Sequence, residues 1–280
     1  VNDVCFKLIK YDHWGNLLYA NNISDTTDIY KMLYEFIQTS DSGFIFAGSS
    51  HGPLLIRTDK FGNLIWQKKY QNMGSYATFY SVRQTSDRGY IACGSTFSYP
   101  SDSSLLVKTD SWGNIQWKKL YKDSLNNYFL DVIQDSLSNY YVSGYLYNSD
   151  PRYGAIVKKL DSTGNQIWST IYTSYTQARQ ILYSRGNIII VIGSNAYSFY
   201  PVLAKLDTSG NVKWVRNYTF PRFLYACMDR FNDIVITGYY APGGYFPTIG
   251  LTKIDTSGNV KKSVSLQYLG YDDIYPGCIK

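Results

Sequence analysis

The chain has 280 residues, of which 17% are charged and 17% aromatic, with 29 Tyr and a formal net charge of +6. Its Lys and Arg are spread along the sequence without forming a run, which argues against a nucleic-acid partner. No apolar stretch is long enough for a membrane-spanning helix. Glu35 is the only Glu, and a chain poor in Glu but rich in Tyr, Thr, Ile and Val favours strands over helices.

Taken in chain order, the first recognisable element is a tight turn at Asp12–Asn16. Its pattern, Asp-x-x-Gly-Asn, returns at Asp59–Asn63, Asp110–Asn114, Asp161–Asn165, Asp207–Asn211 and Asp255–Asn259, at steps of 47, 51, 51, 46 and 48 residues. Such a period marks one supersecondary unit repeated around a ring or along an array. A β run precedes each turn, as in Leu54–Arg57, and another follows, as in Leu64–Tyr70, so each turn closes a hairpin. The Asp side chain can bond backbone N–H groups two residues on, and Gly supplies the positive φ. Two residues before each Asp stands a base (Lys10, Arg57, Lys108, Lys159, Lys205, Lys253) on the same strand face, placed to pair with it or bracket the turn. Trp66, Trp117, Trp168 and Trp214 share one slot after the turn, where packing between repeats is the expected role.

Between hairpins lies a second strand pair, such as Tyr34–Gln38 with Phe44–Gly48 and Tyr80–Gln84 with Tyr90–Gly94. Four short strands per unit predict a β-propeller blade. The ends are out of phase with the repeat. Residues 1–24 hold only the third and fourth strands of a blade, and Asp273–Lys280 aligns with a first strand. The expectation is a single all-β domain over residues 1–280. It is a six-bladed β-propeller with four-stranded blades, the last closed by the N- and C-terminal strands. A second strand for that blade is not visible in the sequence.

The unit Tyr80-Ser-Val-Arg-Gln-Thr-Ser-Asp-Arg-Gly-Tyr-Ile-Ala-Cys-Gly-Ser95, followed by Leu105-Leu-Val-Lys-Thr-Asp-Ser-Trp-Gly-Asn-Ile-Gln-Trp-Lys-Lys-Leu-Tyr121, resembles a group of secreted bacterial and archaeal β-propeller repeats. Those repeats have the form QTSDGGYIVAG…KTDSNGNVLWTKTY. The resemblance covers nearly the whole chain and implies an extracellular or cell-surface propeller, generally without an assigned reaction. Quinoprotein repeats and sialidase Asp-boxes space Asp and Gly differently, so neither chemistry carries over.

No residue cluster in the sequence spells out a reaction. The two His, His13 and His51, sit in turn and loop segments. A lone Asp-x-x-Gly-Asn turn has too few carboxylates for calcium, and the four Cys lack metal-site spacing. No metal or cofactor is expected. Glu35, Ser81, Asp131, Arg179 and Tyr225 occupy one column of the first strands, which would line a central channel if those strands are innermost. Longer loops share one face and carry Tyr99, Tyr145, Tyr147, Tyr153, Tyr197, Tyr200, Tyr239, Tyr240 and Tyr245, a composition suited to recognition. The opposite face is expected to hold only tight polar turns.

Asn22 and Asn217 begin glycosylation sequons. Cys5 and Cys278 both fall in the closing blade, where a disulfide between them would suit an oxidising compartment. Cys93 and Cys227 belong to blades across the ring and are not expected to bond. The reading is a non-enzymatic extracellular module, structural or adhesive, on a cell surface, filament or virion. Its partners would be proteins or glycans at a surface, or further copies in a self-assembled filament. The alternative is a glycan-binding lectin or glycan-active hydrolase using the Tyr-rich face.

Overall fold

The computed structural model describes residues 6–23, 31–97, 102–122, 126–147, 154–173, 177–184, 187–193, 201–218, 222–240 and 248–267. These residues form strands and turns, with no helix. Strands β1 (Lys7–Tyr11) and β2 (Leu17–Asn22) make a two-stranded sheet. Five four-stranded sheets follow in sequence order. The first is β3 (Met32–Gln38), β4 (Phe44–Ser49), β5 (Pro53–Thr58) and β6 (Leu64–Lys69). The second is β7 (Ser75–Gln84), β8 (Tyr90–Phe97), β9 (Ser103–Thr109) and β10 (Ile115–Tyr121). The third is β11 (Asn126–Gln134), β12 (Tyr140–Tyr147), β13 (Gly154–Leu160) and β14 (Gln166–Tyr172). Then come β15 (Ala178–Ser184), β16 (Asn187–Ile192), β17 (Val202–Asp207) and β18 (Val212–Asn217). The last is β19 (Arg222–Met228), β20 (Ile234–Tyr240), β21 (Thr248–Ile254) and β22 (Val260–Gln267).

The expected four-stranded meander is therefore present five times. The blade carrying the first turn has two strands among the described residues, and the segment expected to complete it, Asp273–Lys280, lies outside them. By compactness the chain divides into two units, residues 1–138 with 162–164, and residues 139–161 with 165–280. The four-stranded sheets are propeller blades. Their two middle strands are the most buried: every residue of β5 and β9 is buried, whereas the fourth strands β6 and β10 are exposed or half-buried along their length. Middle strands pack sheet on sheet and need near-continuous apolar runs, while the outer strand faces water on one side.

The turn pattern proves to be a closed hydrogen-bonding unit. Asp110 Oδ1 accepts from the backbone N–H of Trp112 (2.9 Å) and Asn114 (2.8 Å), and Oδ2 accepts from Asn114 Nδ2 (2.8 Å). Gly113 N donates to Asp110 O (3.1 Å), and Asp110 N donates to Asn114 O (2.9 Å). The same set recurs at Asp12, Asp59, Asp207 and Asp255. Hydrogen bonds to the ionised form favour it. The Asn16 side chain, followed by its backbone N–H, holds the Asp12 carboxyl below the usual carboxylate range. Asp207 is likewise held low, by Lys213 first and then by Asn211.

These turn carboxylates are occupied from within, and three of the bases two residues upstream take other partners. Arg57 pairs with Asp41, and Lys108 Nζ pairs with Asp87 at 2.7 Å. Lys253 reaches Asp229 (2.5 Å) and Asp233 (3.0 Å). Each partner lies in the other hairpin turn of the same blade, so the base ties the two turns of one sheet together.

The turn also grips the preceding blade. Gly113 sits at φ +76, and a Cβ there would fall 2.9 Å from Cη2 of Trp66. Trp66 Nε1 donates to Ser111 O (3.3 Å), and the Tyr70 hydroxyl donates to Gly113 O (2.9 Å). Gly164 meets Trp117 in the same way, and Gly210 meets Trp168. Tyr121 OH bonds Gly164 O (2.6 Å), and Tyr218 OH bonds Gly258 O (2.8 Å). Packing between repeats is thus the role of the recurrent Trp. Gly113→Ala imposes both a left-handed φ on a β-carbon and a collision with Trp66. Gly15, at φ +86 with no atom within 4 Å of the place a Cβ would take, isolates the first cost. Urea unfolding should show Gly113→Ala losing about 1–3 kcal/mol and exceeding Gly15→Ala. Equal losses would remove the Trp66 contact from the account.

Candidate functional site

The first strands of successive blades carry the column singled out above. Glu35 on β3, Ser81 on β7 and Asp131 on β11 are joined through Arg83, which shares a strand face with Ser81. Arg83 Nη1 lies 2.6 Å from Glu35 Oε2, and Nη2 lies 2.7 Å from Asp131 Oδ1. The Ser81 hydroxyl donates to the same Asp131 oxygen at 2.7 Å. Glu35 Oε2 also accepts from the Val82 backbone N–H at 3.2 Å. The three ionised side chains are mostly sequestered, with 18% of Arg83, 10% of Glu35 and 4% of Asp131 exposed. Removing such charges from water is tolerated only with this degree of mutual bonding.

Arg83 is the member that the column pattern does not include. Its signal in the sequence is the period-2 geometry of a strand, which puts residue i+2 on the same face as the column. The column also needs correction at one position. A β-bulge lies between Ala178 and Gln180, matching those at Leu33/Glu35, Phe79/Ser81 and Phe223/Tyr225. Arg179 is the bulged residue and is exposed, so Gln180 occupies the column in its place. Gln180 Oε1 accepts from Ala226 N (2.7 Å) and Nε2 donates to Ala226 O (2.6 Å), clasping the next first strand. Glu35 makes the equivalent bond to Val82. Tyr225 lies opposite Thr237.

Chemically the Glu35–Arg83–Asp131 arrangement is a clasp. Glycosidic acid–base catalysis needs two carboxyl groups facing a bond with room between them; here a guanidinium fills that space. Cys93 is opposite Ser81 in register and fully buried. Burial pushes its thiol well above the ordinary value, and the charges of Asp131 and Glu35 add to the effect. A thiol held neutral is a poor nucleophile. Cys93 is a free thiol.

The remaining candidates fall as follows. Tyr145 is half-buried, and Tyr147 is 40% exposed at the end of β12. Tyr239 and Tyr240 are the last residues of β20. Tyr99, Tyr153, Tyr197, Tyr200 and Tyr245 lie outside the described residues, as do Cys5 and Cys278. Asn22 and Asn217 are exposed at strand ends. His13 packs on Trp14 with ring centroids 4.2 Å apart, and His51 occupies a turn at φ 53.

No protein-family model matches the chain, and no curated protein matches it. Among solved structures it is similar to a protein of unknown function from Bacteroides caccae, with a TM-score of 0.63 and 12% identity over 91% of this chain and 87% of that one. It is also similar to a subtype N10 neuraminidase-like protein of A/little yellow-shouldered bat/Guatemala/060/2010, with a TM-score of 0.55 and 9% identity over 84% and 86% of the two chains. A subtype N11 neuraminidase-like protein of A/flat-faced bat/Peru/033/2010 gives a TM-score of 0.51 at 9% identity, over 94% and 79%. At these identities the likeness is one of fold. The chain is a β-propeller protein built of four-stranded blades.

If the clasp is structural, Arg83→Met leaves Glu35 and Asp131 facing each other in a mostly buried setting. The expected loss is about 3–5 kcal/mol, read by denaturant unfolding. Adding Glu35→Gln and Asp131→Asn to the same chain should restore much of it. A triple variant no more stable than Arg83→Met would show that the charges were not the reason for the loss.

Proposed function

We propose that this chain is an extracellular, non-enzymatic β-propeller that serves as a structural or adhesive binding module on a cell surface, filament or virion. One observation carries the reading: the polar groups that recur from blade to blade are consumed in holding blades together. The turn Asp–Asn pairs, the Trp66, Trp168, Tyr70, Tyr121 and Tyr218 donors and the Glu35–Arg83–Asp131 clasp are bonded within the protein, while the Trp214 and Tyr172 donors are buried. What varies between blades is the loop composition, rich in Tyr, Ser and Asn, which suits recognition of proteins or glycans. The resemblance to secreted propeller repeats, and the exposed sequon residues Asn22 and Asn217, support a location outside the cell. Glycan arrays and glycosidase assays on the purified chain test the reading together. Binding without turnover is the expected outcome. Hydrolysis abolished by Glu35→Gln or Asp131→Asn would replace it with the hydrolase alternative.

The same proposal includes a ring of six blades, the sixth shared by β1, β2 and the C-terminal segment. A Cys5–Cys278 bond would then close a loop of nearly the whole chain, for which chain entropy suggests roughly 4–5 kcal/mol. Alkylation of the unfolded chain without reductant should label two of the four Cys, Cys93 and Cys227. Labelling of all four removes the bond.

A further inference from the structure

The turn face of the first unit is not the featureless set of tight turns expected from the sequence. Between the turns of the β3–β6 blade and those of the β7–β10 blade lies a cleft of about 550 Å³, a size typical of small-molecule sites. Its lining includes Asp41, Arg57, Trp66, Arg88, Tyr90 and Trp112. Four of these belong to the scaffold. Arg57 is bonded to Asp41 and, through Nε at 2.9 Å, to the Tyr90 hydroxyl. Trp66 packs on the next turn and edge-on to Tyr90, with centroids 5.9 Å apart.

The other two are not explained by the scaffold. Arg88 occupies a turn position at φ 64, where other blades carry Ser42 (φ 67), Ser138 (φ 63) and Asn232 (φ 66). Small polar residues tolerate this region and a long side chain gains nothing there. Among the described residues the Arg88 side chain has no ion-pair or hydrogen-bond partner, its backbone N–H alone donating to Thr85 O (2.9 Å). Trp112 sits two residues after its turn Asp. The two earlier turns hold Trp14 and Phe61 in that slot, and Phe61 packs edge-on to Tyr19 of the preceding sheet. The three later turns do without an aromatic, carrying Thr163, Ser209 and Ser257. Trp112 is 66% exposed, and the Asp110 turn uses only its backbone N–H, which any residue supplies. A cation with no side-chain partner where other blades carry Ser or Asn, next to an exposed indole at the lip of a cleft, is the pattern of a ligand site.

We propose that this cleft binds an acidic saccharide unit, with the sugar ring against Trp112 and its carboxylate or sulfate on Arg88. An indole offers a flat apolar wall with a polar edge, as the C–H face of a pyranose requires. A guanidinium matches a carboxylate or sulfate through paired N–H donors. Two Arg against one Asp give the lining a net positive charge, and Asp41, neutralised by Arg57 and 63% exposed, accepts hydroxyl hydrogen bonds. The inference rests on the binding-module reading and assigns it a second face.

Isothermal titration of the full chain with tetragalacturonate, a chondroitin sulfate tetrasaccharide, maltotetraose and tetra-aspartate tests the assignment. Arg88→Ser and Trp112→Thr serve as variants; both copy residues that other blades carry, and their melting midpoints should stay at the parent value. One or both acidic saccharides should bind, at least about tenfold tighter than maltotetraose, and each variant should weaken them by a similar factor. Which of the two binds names the anion. The proposal fails if neither acidic saccharide binds, if tetra-aspartate binds as tightly, or if both variants bind like the parent. Glycan-array signals retained by both variants would retire the cleft while leaving the binding-module reading in place.

Discussion

The turn between the third and fourth strands of a blade does two jobs at Gly113, Gly164 and Gly210, and the fold depends on their being done by the same few atoms. The Asp-x-x-Gly-Asn segment satisfies its own backbone through one carboxylate and one amide. It thereby presents a flat, side-chain-free surface at the Gly. The indole of the preceding blade packs on that surface, and its N–H or a nearby tyrosine hydroxyl bonds the exposed carbonyls. A β-carbon at Gly113 or Gly164 would take the place of the Trp ring. The turn is thus the unit's own closure and its neighbour's docking surface.

A second set of contacts operates at the first strands. There the interaction is polar: Glu35 and Gln180 each reach the backbone of the following first strand, and Arg83 links Glu35 to Asp131. The two sets differ in chemistry because their surroundings differ. The fourth strands are half exposed, so an indole and a hydroxyl can share apolar and polar work. First strands present unpaired backbone groups at a sheet edge, and a side-chain amide or carboxylate satisfies them. The first set recurs at Gly113, Gly164 and Gly210, and the second at Glu35 and Gln180.

Repetition also separates scaffold from function. Where a position holds the same chemistry in every blade, blade-to-blade contact explains it. Arg88 stands out because its counterparts are Ser and Asn, and because its side chain makes none of the bonds that tie its neighbours down. Trp112 stands out because the later blades close the same turn with Thr or Ser. The same comparison assigns the clasp to structure, since Gln180 performs without charge what Glu35 performs with it.

The sequence alone determined the strand class, the six turns, the four-strand unit and the packing role of Trp66, because these depend on local periodicity and on backbone conformations that only Gly and Asx residues favour. It also placed Glu35, Ser81 and Asp131 on one column. Three things were decided only in three dimensions. The column residue follows a bulge in this blade as in the others, and here it is Gln180 and not Arg179, since a one-residue offset exchanges which side chains face inward. The partners of Arg57 and Lys108 proved to be Asp41 and Asp87, because hydrogen bonds inside the turn had already claimed Asp59 and Asp110. The cleft at Arg88 and Trp112 exists only where the turns of two neighbouring blades come side by side, and a juxtaposition of loops from separate sheets leaves no trace in a local pattern.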